Sequence, residues 1–168
     1  VRELNLEHLK DAYTKVDEIP FDFTRRRMSV VIEDRQGKRQ IITKGAVEEI
    51  LDVCSYAEFD GEIHPLTDSL KIKAQKISEE MNRQGMRVLA VSQKSFIEKD
   101  CNFVIEDEKE MVLIGYLAFL DPPKPSAAEA IEQLYMHGVA VKILSGDNDT
   151  VVKAIARQVG IDTGHSLT

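Results

Sequence analysis

The run Arg39–Cys54, RQIITKGAVEEILDVC, changes its hydrophobic period midway, and that limits what it can fold into. Gln40 to Thr43 is β-branched and apolar and predicts a strand. Val47, Ile50, Leu51 and Cys54 recur at the spacing of one buried helical stripe. Only Lys44, Gly45 and Ala46 lie between, so strand must pass to helix through a tight junction. Gly45 permits a sharp turn there and a close approach of a ligand to the main chain. The helix start behind it offers free N–H groups and a positive dipole end, and Lys44 adds a mobile cation. The junction therefore suits an anion such as phosphate. The same junction also arises from packing alone in many α/β domains, and an exposed lysine is commonly just solvated.

Composition narrows the partners. The 168 residues are 43% hydrophobic and 30% charged, a globular composition sized for one domain, or one domain plus part of a second. With 29 acidic against 22 basic residues and a net charge of −7, no broad basic field is available for nucleic acid. Arg25, Arg26 and Arg27 do cluster, which leaves a small anionic ligand open. No apolar run approaches the roughly 20 residues of a membrane helix. Val1–Lys10 mixes charged and apolar residues at helical spacing, unlike a signal peptide. Cys54 and Cys101 lack metal-ligand spacing, so structural cysteines in a reducing cytoplasm are expected. His8, His64, His137 and His165 are scattered, and no nucleophile–base pair or metal cluster stands out.

The order of elements follows from local pattern. Leu4–Tyr13 has the pattern of a short helix, and Val16–Pro20 leads into Phe21–Arg27. Met28–Glu33 predicts a strand, with Asp34–Gly37 supplying hairpin turn residues into Arg39–Thr43. Phe59–Ile63 reads as a second small hairpin. A long amphipathic helix is predicted over about Thr67–Gln84, with Leu70, Ile72, Ile77 and Met81 on its apolar positions and Gly85 as its stop. Arg87–Gln93 and Met111–Leu120 read as strands, the second apolar enough to be buried on both faces. Lys94–Lys109 reads as a surface loop. At Asp121-Pro122-Pro123-Lys124 the pattern changes, since paired prolines fit neither a central strand nor a helix interior. Beyond it a helix (Ser126–His137), a strand (Val139–Leu144) and a helix (Asp147–Val159) imply the beginning of a doubly wound parallel sheet. The expected division is 1–120 and 121–168, the second domain being incomplete.

Several residues have the chemistry of a nucleotide site. Phe21 follows Pro20 and can present its face to a planar base, with Arg26 close enough in sequence to meet phosphate or lie over the ring. For Phe23 a place in the core is the better expectation. The arginine triplet reads equally well as a solvated, charge-protected strand edge. Arg87 heads an apolar strand, where it can cap the preceding helix or reach a phosphate or ribose. Ser145, Gly146 and Asp147 follow a predicted parallel strand, the edge at which open α/β sheets bind ligands. A hydroxyl, a glycine and a carboxylate suit phosphate and magnesium work there, but Ser and Asp are also favoured N-caps.

Taken in order, PFDFTRRRMSVV (from Pro20), TKGAVEEIL (from Thr43), GMRVLAV (from Gly85), FLDPPK (from Phe119) and VKILSGDN (from Val141) resemble the P-type cation-transporting ATPases, across essentially the whole chain. The resemblance implies an α/β fold: an α+β nucleotide-binding domain, with an antiparallel sheet flanked by helices, then a partial doubly wound phosphorylation domain. The wording around Phe21 is most similar to the bacterial magnesium-transporting branch, with calcium or proton pumps as alternatives. By resemblance, Phe21 matches the aromatic residue that stacks on adenine. Arg26 stands where many relatives have lysine, and Lys44 and Gly45 match the pair lining the adenosine pocket. Arg87 matches an arginine on the phosphate side. Asp121, with Pro122 and Pro123, matches the hinge. Ser145, Gly146 and Asp147 match a TGD-type motif near the ATP phosphates, with serine replacing threonine. The family's phosphorylated aspartate, in a DKTGT sequence, is absent, as is the later GDGxxD motif. The expected ligands are therefore ATP and its Mg2+, bound without turnover. The rest of the pump is the expected partner, and the cytoplasmic side of the plasma membrane the expected location. A soluble phosphatase of the haloacid-dehalogenase type is the second reading, but no Asp-x-Asp nucleophile stands at an early strand end. A non-catalytic interaction domain would leave Phe21, Arg26, Lys44 and Arg87 unexplained.

Overall fold

Alternating residues along the strands build a sheet whose buried positions include Val31, Ile41 and Ala90. A computed structural model describes residues 12–96 and 103–163. Of the expected helix Leu4–Tyr13, residues 4–11 lie outside them; Ala12 is in a turn and Tyr13 opens a strand. Two compact units form, one from residues 1–75 and 89–117 and the other from 76–88 and 118–168.

The first unit holds most of a seven-stranded sheet of order β1-β2-β3-β6-β7-β4-β5. The strands are β1 (Tyr13–Asp22), β2 (Arg27–Asp34), β3 (Arg39–Gly45), β4 (Cys54–Phe59), β5 (Glu62–Pro65), β6 (Met86–Phe96) and β7 (Met111–Leu120). β1–β2–β3–β6 pair antiparallel, whereas β4 runs parallel to β7, so the sheet is mixed. Period-two patterning buries Ser29 and Val31 on β2, Ile41 and Thr43 on β3, and Ala90 and Ser92 on β6. Helix α1 (Val47–Val53) adds Val47, Ile50 and Leu51 to the core, and Cys54 follows buried at the head of β4, the stripe its spacing predicts. The β2–β3 turn forms where Asp34–Gly37 predicted it, its Asp34 carboxylate accepting from the Gln36 and Lys38 N–H groups at 2.9 and 2.8 Å. The β4–β5 hairpin closes through Asp60 and Gly61, both at positive φ (52° and 83°), as a two-residue primed turn requires.

Four expectations need correction here. β1 is a full strand, unannounced because it is an edge strand: only Ile19 is buried, and Pro20 costs no ladder bond on an edge. Lys44 and Gly45 belong to β3, paired with Met28 and Arg27 on one side and Val91 and Ala90 on the other, so Gly45 makes no turn. β7 is not buried on both faces. Met111 and Leu113 are interior, but Ile114, Leu117, Phe119 and Leu120 are exposed. Finally, the stretch 94–109 is not only surface loop, because β6 continues to Phe96 and Glu108 is buried.

Helix α2 (Asp68–Arg83) ends where Gly85 takes φ 84°. Its inward face centres on Ala74 and Ser78, with Leu70 and Met81 half-buried. Ile72 and Ile77 point outward, contrary to the apolar face expected. At 100° per residue Ile72 and Ile77 lie about 140° and about 80° from the centre of that face, off the Ala74–Ser78 stripe.

The second unit contains α3 (Ala127–Met136) and α4 (Asp149–Gln158). Val139–Leu144, expected as a strand, has no regular structure. A parallel strand exists only through a neighbour's hydrogen bonds, and no strand lies beside it among the described residues. α4 begins two residues later than expected, and its cap is Asn148, whose side chain accepts from the Thr150 N–H at 2.9 Å. Neither Ser145 nor Asp147 caps it. Among the described residues no helix is long and apolar enough to cross a membrane.

Candidate functional site

A tight turn, Phe23–Arg26, joins β1 to β2, with Phe23 in the turn and Phe21 near the end of β1 both open to solvent. Asp22 organises it: its carboxylate accepts from the Thr24 and Arg25 N–H groups at 2.9 and 2.8 Å, and its carbonyl accepts from the Arg26 N–H at 2.9 Å. The Arg25 N–H bond, partly offset by what burial there is, holds the Asp22 carboxyl below the ordinary carboxylate range. Phe21 is 50% exposed and Phe23 90%, with ring centroids 5.4 Å apart in an edge-to-face pair. The expected core place for Phe23 is therefore wrong, since it sits in the turn beyond the end of β1. The pair leaves part of the Phe21 ring open.

The three arginines separate. Arg26, at φ 45°, points out and donates through Nη2 to Glu49 Oε1 at 2.6 Å. That bond raises its already high pKa. Arg25 and Arg27 turn inward to Glu108, whose side chain is wholly buried. Arg25 Nη1 donates to both carboxylate oxygens at 2.8 and 2.7 Å, and Arg27 Nε to one of them at 2.7 Å. The Ser29 hydroxyl adds a bond at 2.6 Å and contacts Thr43 Oγ1 at 2.8 Å. Burial alone would push the Glu108 carboxyl up, but the bonds from Ser29, Arg27 and Arg25 outweigh it and hold the pKa low.

Glu108 went unnoticed in the sequence, but one signal points its way. Arg27 shares the strand parity of Ser29 and Val31, which are core positions, so its guanidinium needs a buried counter-charge.

Lys44 is exposed on β3, and its ammonium has no ion pair among the described residues. Gly45 serves a purpose other than the one expected. A Cβ there would lie 2.5 Å from the Arg26 carbonyl oxygen and 2.5 Å from Arg27 Cβ. The close approach Gly45 permits is thus taken by the chain itself, and the Ala46 N–H donates to Arg26 O at 3.0 Å. The α1 N-terminus carries Glu48 and Glu49 in its first turn, charges that already satisfy its dipole. An anion cradle at this junction is not what the geometry offers. It ties the β1–β2 turn to the end of β3, and so places Arg26 beside the Lys44-Gly45-Ala46 backbone.

In the second unit Arg87 Nη2 donates to the Asp147 carboxylate at 2.8 Å. Ser145 Oγ accepts from the Asp147 N–H at 3.1 Å, and Gly146 is open to solvent. Asp121 and Pro122 are exposed and Pro123 half-buried in the irregular segment between β7 and α3. Phe21, Arg26, Lys44 and Gly45 thus belong to one unit, and Arg87, Ser145, Gly146 and Asp147 to the other.

The sequence model of the P-type ATPase cytoplasmic domain N matches residues 1–126. The chain belongs to the P-type ATPases. It is 43% identical over 162 residues to the magnesium-transporting ATPase, P-type 1, of Escherichia coli K12, covering 96% of this chain and 18% of that protein. A protein of the same description in Salmonella typhimurium is 42% identical over 164 residues, covering 98% of this chain and 18% of the relative. A calcium-transporting ATPase of Listeria monocytogenes is 32% identical over 153 residues, 91% of this chain and 17% of its own. The chain thus spans about a fifth of the length of these P-type relatives. The mixed sheet and the four α-helices among the described residues accord with the α/β fold expected of this family, and the family match supports the pump reading over a soluble phosphatase.

Proposed function

We propose that this chain is the ATP-holding cytoplasmic part of a cation pump, with magnesium as the transported ion. Residues 1–120 form the nucleotide-binding domain and 121–168 the opening of the phosphorylation domain, with Asp121, Pro122 and Pro123 as the hinge. The observation that carries this reading is the open Phe21 ring at the end of β1, beside a turn held by Asp22, Arg25 and Arg27. Adenine stacks on that face, Arg26 and Lys44 supply cations beside it, and Gly45 with Ala46 forms the wall behind. Arg87, Ser145, Gly146 and Asp147 belong to the phosphate side, which Mg2+ enters with ATP. The γ-phosphoryl acceptor is an aspartate outside this sequence, so the chain binds ATP without hydrolysing it. The rest of the pump is its partner, and its place is the cytoplasmic side of the plasma membrane.

Titration with ATP and with magnesium-free AMP, followed by NMR, tests the reading. The amides of Phe21, Lys44 and Gly45 should respond to both nucleotides. Amides that stay still at millimolar ATP would sink it. Phe21→Ala should weaken binding by about 1–3 kcal/mol, the usual worth of an aromatic–base stack. An unchanged dissociation constant removes Phe21 from the role.

Glu49 gives a test with the opposite sign. Its carboxylate holds Arg26 at 2.6 Å and would compete with a nucleotide for that guanidinium. Glu49→Gln should therefore tighten ATP binding, by about two- to fivefold, the range of an exposed ion pair. Isothermal titration that shows weaker or unchanged binding would mean that Arg26 does not meet the nucleotide.

A further inference from the structure

One buried carboxylate anchors the β1–β2 turn through the two arginines that flank Arg26. Glu108 takes Arg25 on one side of Arg26 and Arg27 on the other. Arg25 carries the restraint backward, through Nη2 to the Pro20 carbonyl at 2.9 Å and through its side chain to Asp22. Those contacts bracket Phe21. Arg27 carries it forward into β2, whose first pair is Arg27 with Gly45. Arg26, held between two anchored neighbours, takes the left-handed backbone and faces outward. The partners lie more than eighty residues apart in sequence, separated by 83 and 81 positions. Such a contact sets tertiary position rather than local turn shape.

We infer that Glu108 is a positioning residue for nucleotide binding: it touches no nucleotide, but its charge sets where Phe21 and Arg26 stand. This rests on the proposed ATP site. An exposed turn has little to hold a ring still, because its own contacts are few and solvent competes for them. A buried anion with two guanidiniums in fixed geometry supplies that rigidity, and the aromatic face is presented at lower ordering cost.

The test uses the 168-residue chain and Glu108→Asp, which keeps the charge but retracts it, so both arginines cannot be held as before. With the fold retained, the Nε–H signals of Arg25 and Arg27 and the amides of Phe21–Arg27 should shift, while the β4–β5 turn amides of Asp60 and Gly61 stay. ATP should bind about tenfold more weakly, as expected when a group behind a binding residue is displaced. On a Phe21→Ala background the same change should add little, because the ring it positions is gone.

Turn amides that stay in place overturn the inference, whether or not ATP binds. So does an ATP affinity within about twofold of wild type, or an equal loss on both backgrounds. If the unaltered chain binds no ATP, the proposed function fails, and the turn amides alone decide the role of Glu108. Should Glu108→Asp not fold, Ser29→Ala, which keeps every charge and removes one bond to Glu108, is read by the same signals.

Discussion

Replacing Gly45 by alanine is expected to destabilise the chain by about 3 kcal/mol, the upper range for overpacking a filled site. The added Cβ would meet Arg26 O at 2.5 Å, Arg27 Cβ at 2.5 Å and Arg27 Cα at 2.7 Å. None of these is the free end of a flexible side chain. Two belong to backbone that also carries the Ala46 N–H to Arg26 O bond, and Arg27 is the ladder partner of Gly45. Relief therefore requires β2 to part from β3 at its first pair, or the Arg25–Glu108–Arg27 network to follow the shift. On the opposite side Gly45 pairs with Ala90, so β3 is held there as well. For a chain of this size about 3 kcal/mol corresponds to a fall in Tm of about 10 °C. Thermal unfolding followed by circular dichroism checks this, and a variant that melts with the wild type would show that the strands part without cost. Folded Gly45→Ala should also bind ATP more weakly, since the shift moves Arg26.

How much of this was legible depends on the range of the interaction. Residues that act within one turn or one helix could be read directly. Asp34–Gly37 and Asp60-Gly61 supply the turn chemistry of their hairpins, Val47–Cys54 the buried stripe, and Gly85 the helix stop. Gly45 shows in the sequence that something approaches the main chain closely, but not what approaches. Lack of a side chain does allow close approach, but sequence cannot say that the approaching group is Arg26 and Arg27. β1 was missed because an edge strand need not alternate: Thr14, Lys15 and Glu18 face water along with Val16. Val139–Leu144 has the composition of a strand, but a ladder needs a neighbour that no local pattern guarantees. The site divides along the same line. Phe21, Arg26 and Lys44 stood out by residue type, whereas Glu108 sits among Asp107, Lys109 and Glu110 and looks like one more solvated charge. Only the parity of Arg27 on β2 hints at a partner.

Glu108→Gln should cost about 3–5 kcal/mol at neutral pH, because removing one partner leaves buried charge uncompensated. Arg25 and Arg27 have side chains only 12% and 13% exposed, so water cannot replace the carboxylate. Glutamine can still accept one bond, but it cannot neutralise two guanidiniums. The loss has a characteristic pH dependence. In the folded chain the Glu108 carboxyl lies below its ordinary value of 4.5, burial being outweighed by the bonds from Ser29, Arg27 and Arg25. A depressed folded pKa contributes stability that is fully present above pH 4.5 and is lost as pH falls through the folded value. Acid therefore removes from the wild type what Glu108→Gln removes at every pH. Urea midpoints of the two chains should stand far apart at pH 7 and converge on acidification below 4.5. Asp22, whose carboxyl is also held low, is common to both chains and shifts the two curves together. A gap that persists unchanged far below pH 4.5 would mean that the variant lost packing rather than charge. The buried carboxylate would then be a filler of space, and the arginines on either side of Arg26 would owe their positions to something else.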